Sequence, residues 1–379
     1  MAMGTELQDN LAPSGRLAET GAGCHATAWA AQIRARAKEL EFDVIGFARA
    51  DEAVPRHMAH FDDFVARGMH GDMAYLAKHA AARERLDGES ILPGAKTVIC
   101  LARRYDREDE EDEPPWVQGI ARYARGRDYH GHLHKRVAKL ARFVRGLQEG
   151  VIARAFCDTA PVLERAWAHR AGIGFIGKNG MLIVPGKGSY CLLGEVVTTL
   201  PLPPEDYGQA MNERCGSCTL CLDACPTDAF PRPFVLDPRR CVSYYTIESR
   251  SAPPQELHAS LGEELFGCDV CQQVCPYNGV APPASEHTAL FAPLSRWSET
   301  SVWDWLRVDE AEFIELTRSS PLRRATRAGM ARNVLLAAAR RLRRAGEGGD
   351  EEARSQLEEG AQHDEPSVRK LANELLGAL

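Results

Sequence analysis

The stretch CGSCTLCLDACP, residues 215 to 226, carries four cysteines separated by two, two and three residues, with a proline after the last one. This is the C-x2-C-x2-C-x3-C-P run of bacterial two-cluster ferredoxins, in which one loop holds three corners of a [4Fe–4S] cubane. The three-residue gap directs the fourth thiolate to a neighbouring cluster. The stretch therefore predicts a two-cluster, bacterial-type ferredoxin-like fold around it.

A second, incomplete copy of the run follows as CDVCQQVCP, residues 268 to 276. Leu265 occupies the place of its first cysteine, and Cys241 is the remaining cysteine nearby. We therefore predict two [4Fe–4S] clusters with exchanged fourth ligands. The first cluster is assigned Cys215, Cys218, Cys221 and Cys275, and the second Cys225, Cys241, Cys268 and Cys271. Zinc in two four-thiolate sites fits the same count, but the spacing favours cubanes.

Composition places these cysteines in an ordinary globular protein. The 379 residues allow two or three domains, and 44% hydrophobic and 26% charged residues are typical of a soluble chain. The net charge of −7 indicates no general affinity for polyanions. The first 25 residues are polar and glycine-rich, which predicts a flexible lead-in without a secretion signal. We expect a cytoplasmic protein, in which clustered thiols bind metal rather than form disulfides.

The pattern of apolar residues predicts three folded parts. Helical and strand-like segments alternate over residues 26–205, which indicates an α/β or α+β domain. Within it, MLIVPGKGSYCLLGEVVTTL (181–200) favours a hairpin or two strands around a Gly-Lys-Gly turn. Residues 206–285 form the cluster domain, and 286–379 are helical. There, ARNVLLAAARRLRRAG and EPSVRKLANELLGAL align at a shift of 34 residues, which predicts a HEAT-like helical repeat.

Four motifs in one order resemble the epoxyqueuosine reductase family. They are YARGRDYHGHLHKRVAKLA (123–141), FCDTAPVLERAWAHRAGIGFIGKNGMLIVPGKGSY (156–190), the ferredoxin run and CVSYYTIES (241–249). The resemblance covers roughly residues 30 to 280. It implies a cobalamin-dependent enzyme that removes the epoxide oxygen of epoxyqueuosine at the wobble position of tRNA. Two electrons and the release of water complete this reaction, the last step of queuosine biosynthesis.

The resemblance also implies site residues. Asp158 matches the family's proposed proton donor, and to hold a proton at neutral pH it would need burial. Its alternative role is a helix cap ahead of Pro161 and Glu164. The resemblance implies that cobalamin lies in the 26–205 domain. The Asp-x-His-x-x-Gly pattern that supplies a histidine ligand to cobalt is absent, which fits base-off binding without a protein histidine. The implied cobalamin contacts are Arg85, Asp158, Lys178, Asn179, Ser243 and Tyr244.

Residues 321 to 345 contain eight arginines and no acidic residue, which is the electrostatic footprint expected for a phosphate backbone. The predicted tRNA contacts are Arg323, Arg324, Arg327 and Arg332. We expect a monomer that takes electrons from an external donor. Two alternatives are a corrinoid reductive dehalogenase, which normally carries a twin-arginine leader, and a non-catalytic ferredoxin-type electron-transfer subunit.

Overall fold

The structure, a computed structural model, describes residues 22–107, 113–281, 290–346 and 349–379. Most of the predicted lead-in and most of the acidic block after Arg107 lie outside the described residues. The first helix already begins at Ala22, inside the predicted lead-in. No helix in the described ranges is both long and apolar enough to cross a membrane.

A four-stranded antiparallel sheet organises the N-terminal part. Its strands, in the spatial order β1-β2-β6-β3, are β1 (Val44–Arg49), β2 (Thr97–Arg104), β6 (Cys191–Thr198) and β3 (Ala153–Phe156). All three pairings are antiparallel, so the domain is α+β rather than a parallel α/β fold. Two short strands, β4 (Phe175–Ile176) and β5 (Leu182–Ile183), pair separately.

Helices cover both faces of this sheet because its strands are apolar on both sides. The helices of this part are α1 (Ala22–Glu39), α2 (Pro55–Ala66), α3 (Ala74–Lys78), α4 (Tyr129–Arg145) and α5 (Glu164–Arg170). Helices α1 and α4 pack on the face that contains Phe47, Ile99 and Val196. Helix α5 buries Trp167 against the face with Val98 and Val197. The result is a three-layer unit in which α4 and α5 begin near one another.

Of the two arrangements predicted for residues 181–200, two strands around the turn are confirmed and a hairpin is wrong. The chain does turn at Pro185–Lys187, where Val184 and Gly188 form an isolated bridge. However, β5 pairs with β4, whereas β6 lies in the large sheet between β2 and β3. The two segments join different sheets because β6 finds its apolar partners far away in the sequence.

The two cysteine runs form matching short helices. Helix α6 (Leu220–Asp223) follows the first run's opening cysteines, α7 (Val270–Gln273) occupies the equivalent place in the second copy, and α8 (Pro276–Gly279) comes after it. Helices α6 and α7 contact each other. This is the arrangement that two interlocked cysteine loops require.

The C-terminal part contains α9 (Asp304–Arg307), α10 (Glu310–Leu316), α11 (Arg327–Ala345), α12 (Glu351–Gly360) and α13 (Pro366–Gly377). Helices α11, α12 and α13 pack on one another, and the aligned Val334 and Val368 are both fully buried. Their core continues into Val117, Ile120 and Phe266 from the preceding parts. The C-terminal helices therefore share one core with the cluster region instead of standing alone.

Candidate active site

The cysteines of the two runs lie near one another, as the two predicted groups require. Burial raises the pKa of Cys275, and the neighbouring Cys215 and Cys218 thiols raise it further. Burial raises the pKa of Cys271 to about 12, and the Cys241, Cys221 and Cys225 thiols raise it further. Because Cys221 belongs to the first predicted group, the exchange of fourth ligands stays a prediction. Thiolates, not thiols, bind iron, so cluster assembly must release these protons.

A site for a single metal ion needs a different arrangement of ligands from a [4Fe–4S] cubane. Among the described residues, no three His, Cys, Asp or Glu side chains converge as ligands of a single metal ion. A cubane spreads its four thiolates around four iron corners, so its ligands lie farther apart than those of one zinc ion.

The glycine-rich turn 177–180 joins the sheet domain to both cluster loops. The Lys178 ammonium donates to the carbonyl oxygens of Gly216 at 2.6 Å and Cys218 at 2.9 Å. The buried Asn179 amide donates to the carbonyl of Cys271 at 3.1 Å. Both residues were predicted to contact cobalamin, and the structure gives them cluster-loop partners.

Ser243 and Tyr244 lie in the shell of Cys241. Burial raises the pKa of Cys241, while hydrogen bonds from the backbone amides of Tyr244 and Ser243 oppose this rise. The buried Tyr244 hydroxyl accepts a hydrogen bond from the Asp72 amide at 2.8 Å. A Cβ atom at Gly71 would lie 2.3 Å from that hydroxyl, so only glycine lets the two loops approach. These residues therefore fasten the cluster domain to the loop before α3.

Arg85 lies on the surface. Its guanidinium makes two hydrogen bonds of 2.8 Å to Asp87 and its side chain is 55% exposed. The structure brings no other predicted cobalamin residue into hydrogen-bonding contact with it, within the ranges described.

Asp158 stands on the loop between β3 and α5, in a left-handed backbone conformation with φ of 57°. Aspartate tolerates this conformation better than most residues. The loop is held by the Asp158 amide, which donates to the Glu164 carboxylate at 2.6 Å. Leu163, not Asp158, is the N-cap of α5. The capping role considered from the sequence is therefore wrong, and the carboxylate is free for other partners.

Two donors from the start of α4 reach that carboxylate. Tyr129 Oη donates to Asp158 Oδ2 at 2.7 Å, and His130 Nε2 lies 2.9 Å from the same oxygen. The other ring nitrogen of His130 lies 2.6 Å from Asp128 Oδ1, and Asp128 also caps α4. His130 is thus clamped between two carboxylates by the first turn of a 17-residue helix.

The clamp fixes the location of a proton. Hydrogen bonds to Asp128 and then Asp158 raise the pKa of His130 to about 9. The hydrogen bond with His130 lowers the pKa of Asp158, whose side chain is 51% exposed. The protein's own side chains therefore do not keep Asp158 protonated, and the expectation that burial beside the corrin does so stays a prediction. At neutral pH the proton resides on His130, adjacent to an ionised Asp158.

Two further carboxyl groups, those of Glu164 and Glu195, lie behind Asp158. Burial, and then the charge of Asp158, raises the pKa of Glu164 to about 7. Glu195 on β6 is fully buried, and its carboxylate oxygens have no hydrogen-bond partner within the described residues. Burial raises its pKa well above the ordinary value. Burial therefore favours the protonated, neutral form of both glutamates behind the charged His130–Asp158 pair.

The predicted tRNA residues divide into two kinds. Arg323 and Arg324 are exposed, on the 3-10 turn Pro321–Ala325. Arg324 donates to Glu248 at 2.7 and 3.0 Å, stacks 5.9 Å from the ring centre of Tyr75 and helps to lower the pKa of Asp158. It is therefore a C-terminal side chain close to the candidate catalytic carboxylate.

Arg327 and Arg332 are buried instead, 8% and 3% exposed. Arg327 binds Asp364 at 2.7 and 2.9 Å, and Arg332 donates to the carbonyl of Ser249 at 2.9 Å. The prediction that both belong to an exposed basic face is wrong, because α11 turns these guanidinium groups inward to join the C-terminal helices and the cluster domain.

Sequence reasoning missed Asp128, Tyr129 and His130 as site residues. All three lie inside the motif 123–141, but their partner Asp158 comes 28 residues after His130. A polar triplet at a helix start was the available signal, and on its own it indicates only a cap.

Comparisons with known proteins identify the family of the chain. Residues 214–278 match the family model of a 4Fe-4S double cluster binding domain, and residues 85–159 match the model described as epoxyqueuosine reductase QueG, DUF1730. The epoxyqueuosine reductase of Gloeobacter violaceus is 39% identical over 308 residues, covering 80% of this chain and 94% of the relative. That of Pseudomonas aeruginosa is 38% identical, covering 84% of each.

Two solved structures extend the likeness to the fold. One is an epoxyqueuosine reductase crystallised with an epoxyqueuosine-modified tRNA-Tyr stem loop, with a TM-score of 0.78 and 28% identity over 93% of this chain and 90% of that one. The other, from Bacillus subtilis, has its aspartate catalytic loop swung out of the active site, with a TM-score of 0.75, 27% identity and the same coverage. The dehalogenase and the simple electron carrier are thereby set aside, and the chain belongs to the epoxyqueuosine reductase family.

Proposed function

We propose that this chain reduces epoxyqueuosine to queuosine at the wobble position of tRNA. The observation that carries the proposal is the clamped His130–Asp158 pair, partly exposed, in a family member that also matches a 4Fe-4S double cluster binding domain. The reaction breaks both C–O bonds of the epoxide and forms a carbon–carbon double bond. It consumes two electrons and two protons and releases one water.

The electrons require the clusters. Cubanes pass single electrons, so two transfers from an external donor are needed per turnover. We propose that the protein acts as a monomer in the cytoplasm and that a separate reductant supplies these electrons.

We propose that His130 and Asp158 supply the protons. A proton on His130 Nε2 can pass across the 2.9 Å hydrogen bond to Asp158, which then acts as general acid toward the epoxide oxygen. Tyr129 orients the same Asp158 oxygen from 2.7 Å. Asp128 keeps the imidazole in position through its second nitrogen. The relative's swung-out aspartate loop is in keeping with a carboxylate carried on a loop.

We further propose that cobalamin is the group between the clusters and the epoxide. The exposed ring of Tyr75 interacts electrostatically with Asp158. Arg165, next to Glu164, donates to the carbonyl of Gly180 in the glycine turn. A Cβ atom at Gly180 would meet nothing closer than Arg165 at 3.7 Å, so this turn leaves room for a planar group.

Asp158 and the turn around Lys178 and Asn179 would border the cobalamin, and Ser243 and Tyr244 would support it from the Cys241 loop. Arg85 would contact it only after leaving Asp87. Cobalamin, when bound, would supply the strongly reducing centre that delivers electrons to the epoxide. Arg323 and Arg324 remain our proposed tRNA contacts on a HEAT-like C-terminal unit.

The test is direct turnover. Protein reconstituted anaerobically with iron, sulfide and cobalamin is incubated with reductant and a stem-loop RNA containing epoxyqueuosine, and the nucleosides are then analysed by mass spectrometry. We expect loss of one oxygen from the modified nucleoside. Protein without cobalamin is the control. An unchanged nucleoside with fully loaded protein would refute the proposed function.

A further inference from the structure

A basic groove runs along α4 where that helix meets residues 290–296 and 318–319. It consists of two adjoining cavities of about 630 and 570 Å³, which share Arg127, His132 and Leu294 among their lining residues. Two acidic residues, Glu41 and Asp128, line it. The cationic residues along it are Arg103, Arg127, Lys135, Arg136, Arg296 and Arg318. In a chain with a net charge of −7, this is a local concentration of positive charge.

The exposed cations of the groove are not neutralised. The side chains of Arg127 and Lys135 are exposed and have no hydrogen-bond or ion-pair partner in the part of the chain that the structure describes. Among the described residues, Arg318 pairs only with Glu315, and both side chains are about two-thirds exposed. Such a surface pair contributes little in water. Three positive charges are thus available to an anion.

The groove floor carries unused donors. Arg296 donates to the carbonyl of Arg318 at 2.6 Å, but its Nε is buried without a hydrogen-bond partner among the described residues. Arg103 is 1% exposed, and its Nε and Nη1 are unpartnered in the same sense. Burial lowers the pKa of Arg296, and the charges of Arg318 and Arg127 add to this effect. An anion in the groove would relieve that repulsion and satisfy donors that are costly to leave unpaired.

The groove also adjoins the candidate active site. Tyr129 lines it, and the hydroxyl of the same residue donates to Asp158 at 2.7 Å. Asp128, which holds His130, is another wall residue. The N-terminal end of a long helix attracts negative charge, and here that end, α4, separates the groove from the catalytic carboxylate. A polyanion in the groove would therefore lie beside the site of chemistry, on the other side of the first turn of α4.

We propose that this groove binds backbone phosphates of the RNA substrate beside the reacting nucleotide, with Arg127, Lys135 and Arg318 as the exposed phosphate-binding residues. The inference rests on the proposed function and locates its substrate. RNA is favoured over an acidic electron-donor protein because Tyr129 and Asp128, and none of the cluster cysteines, line the groove. The groove on α4 adds to the proposed contacts Arg323 and Arg324 and takes the place of Arg327 and Arg332, which are buried on α11.

The experiment compares charge-reversed variants in a binding assay. Arg127→Glu, Lys135→Glu and Arg318→Glu are titrated with a fluorescent anticodon stem-loop RNA at several salt concentrations. Each should weaken binding, and each should reduce the slope of log K against log salt by about 0.7–0.9, the value for one lost phosphate contact. Arg354→Glu on α12 is the matched control, since Arg354 is exposed, lies outside the groove and has no side-chain partner in the described chain. Iron content and cluster absorption confirm that each variant folds.

The outcomes separate this inference from the proposed function. Groove variants that bind RNA with the affinity and salt slope of Arg354→Glu would overturn the inference, even if the wild-type protein reduces epoxyqueuosine. Variants that keep RNA affinity would also overturn it if, compared with wild type, they accept electrons more slowly from an acidic flavoprotein but at the same rate from dithionite. The groove would then bind the electron donor. If wild-type protein fails to turn over but the variants still lose RNA affinity and slope, the groove assignment stands and the proposed reaction fails.

Discussion

At the scale of single residues, Asp158 combines properties that a passive surface carboxylate does not need. It occupies a left-handed backbone conformation, accepts from Tyr129 and His130 through one oxygen and remains half exposed. Residues held in such conformations at an open site are typical of catalytic loops. The carboxylate is positioned to pass on a proton that it does not itself retain.

Asp158→Asn tests this role. The amide keeps the shape of the side chain but cannot shuttle a proton, so single-turnover reduction should slow by about 10²–10⁴-fold. Iron content and cobalamin binding should not change. Asp63→Asn on α2, another exposed aspartate, should react at the wild-type rate. A rate for Asp158→Asn within about twofold of wild type would remove Asp158 from the mechanism.

The pH dependence tests where the proton resides. Because the pKa of His130 is raised to about 9, the imidazolium is present at neutral pH and is lost as the pH rises through that value. We therefore expect a single-turnover rate that stays level near neutrality and falls at higher pH. Asp128→Asn removes the largest cause of the raised pKa, so the fall should begin at lower pH. An unmoved alkaline limb in Asp128→Asn would contradict the clamp.

At the scale of elements, α11 shows how a basic segment can be structural. Its first turn buries Arg327, which binds Asp364 ahead of α13, while Arg332 reaches Ser249 in the cluster domain. The eight arginines therefore serve different ends, and only part of the segment faces solvent. The sequence shows their charge but not the direction that each side chain takes.

Replacing Arg327 separates the two roles. Arg327→Met removes charge-assisted hydrogen bonds, which contribute about 1.5–3 kcal/mol when made to charged groups, so the melting temperature should fall by several degrees. The salt slope of RNA binding should stay at its wild-type value. Arg354→Met on α12 is the matched control and should change neither quantity. An unchanged melting temperature with a lower RNA slope would restore Arg327 to the RNA-binding surface.

What the sequence predicts well at this scale is local. Alternating helices and strands over residues 26–205 were expected because the apolar period of each segment is visible in consecutive residues. The pairing of β6 with β2 and β3 was not, since those partners lie about 40 to 100 residues earlier in the chain. His130 was missed for the same reason: its importance depends on Asp158, which only the fold brings near.

At the scale of the whole molecule, the two predicted sets of cluster ligands connect segments that are distant in sequence. Each predicted cluster takes ligands from both cysteine runs, and Lys178 and Asn179 tie the two loops to the sheet domain. The C-terminal core continues into residues before and after the runs. Cluster assembly therefore fixes segments that are distant in sequence, and loss of one ligand should be felt across the molecule.

The exchange of fourth ligands makes a quantitative prediction about pairs of substitutions. Wild-type protein should hold about eight irons, with a broad absorption near about 400 nm that bleaches on reduction. Cys275→Ala should remove one cluster, so adding Cys215→Ala should cost little more iron, because both residues serve the same cubane. Adding Cys268→Ala should instead remove the second cluster as well. This contrast isolates the pairing, since coupled residues give non-additive effects and independent ones add.

Iron per chain and the electron paramagnetic resonance of the reduced protein measure both outcomes. If Cys275→Ala with Cys268→Ala loses no more iron than Cys275→Ala alone, each run would hold its own cluster and the exchange would be wrong. The exchange is motivated by the neighbours of two thiols: Cys275 lies near Cys215 and Cys218, and Cys268 lies near Cys241 and Cys271. With exchanged ligands, both runs must fold before either cluster is complete. A half-assembled chain would therefore have no complete path for electrons toward the epoxide.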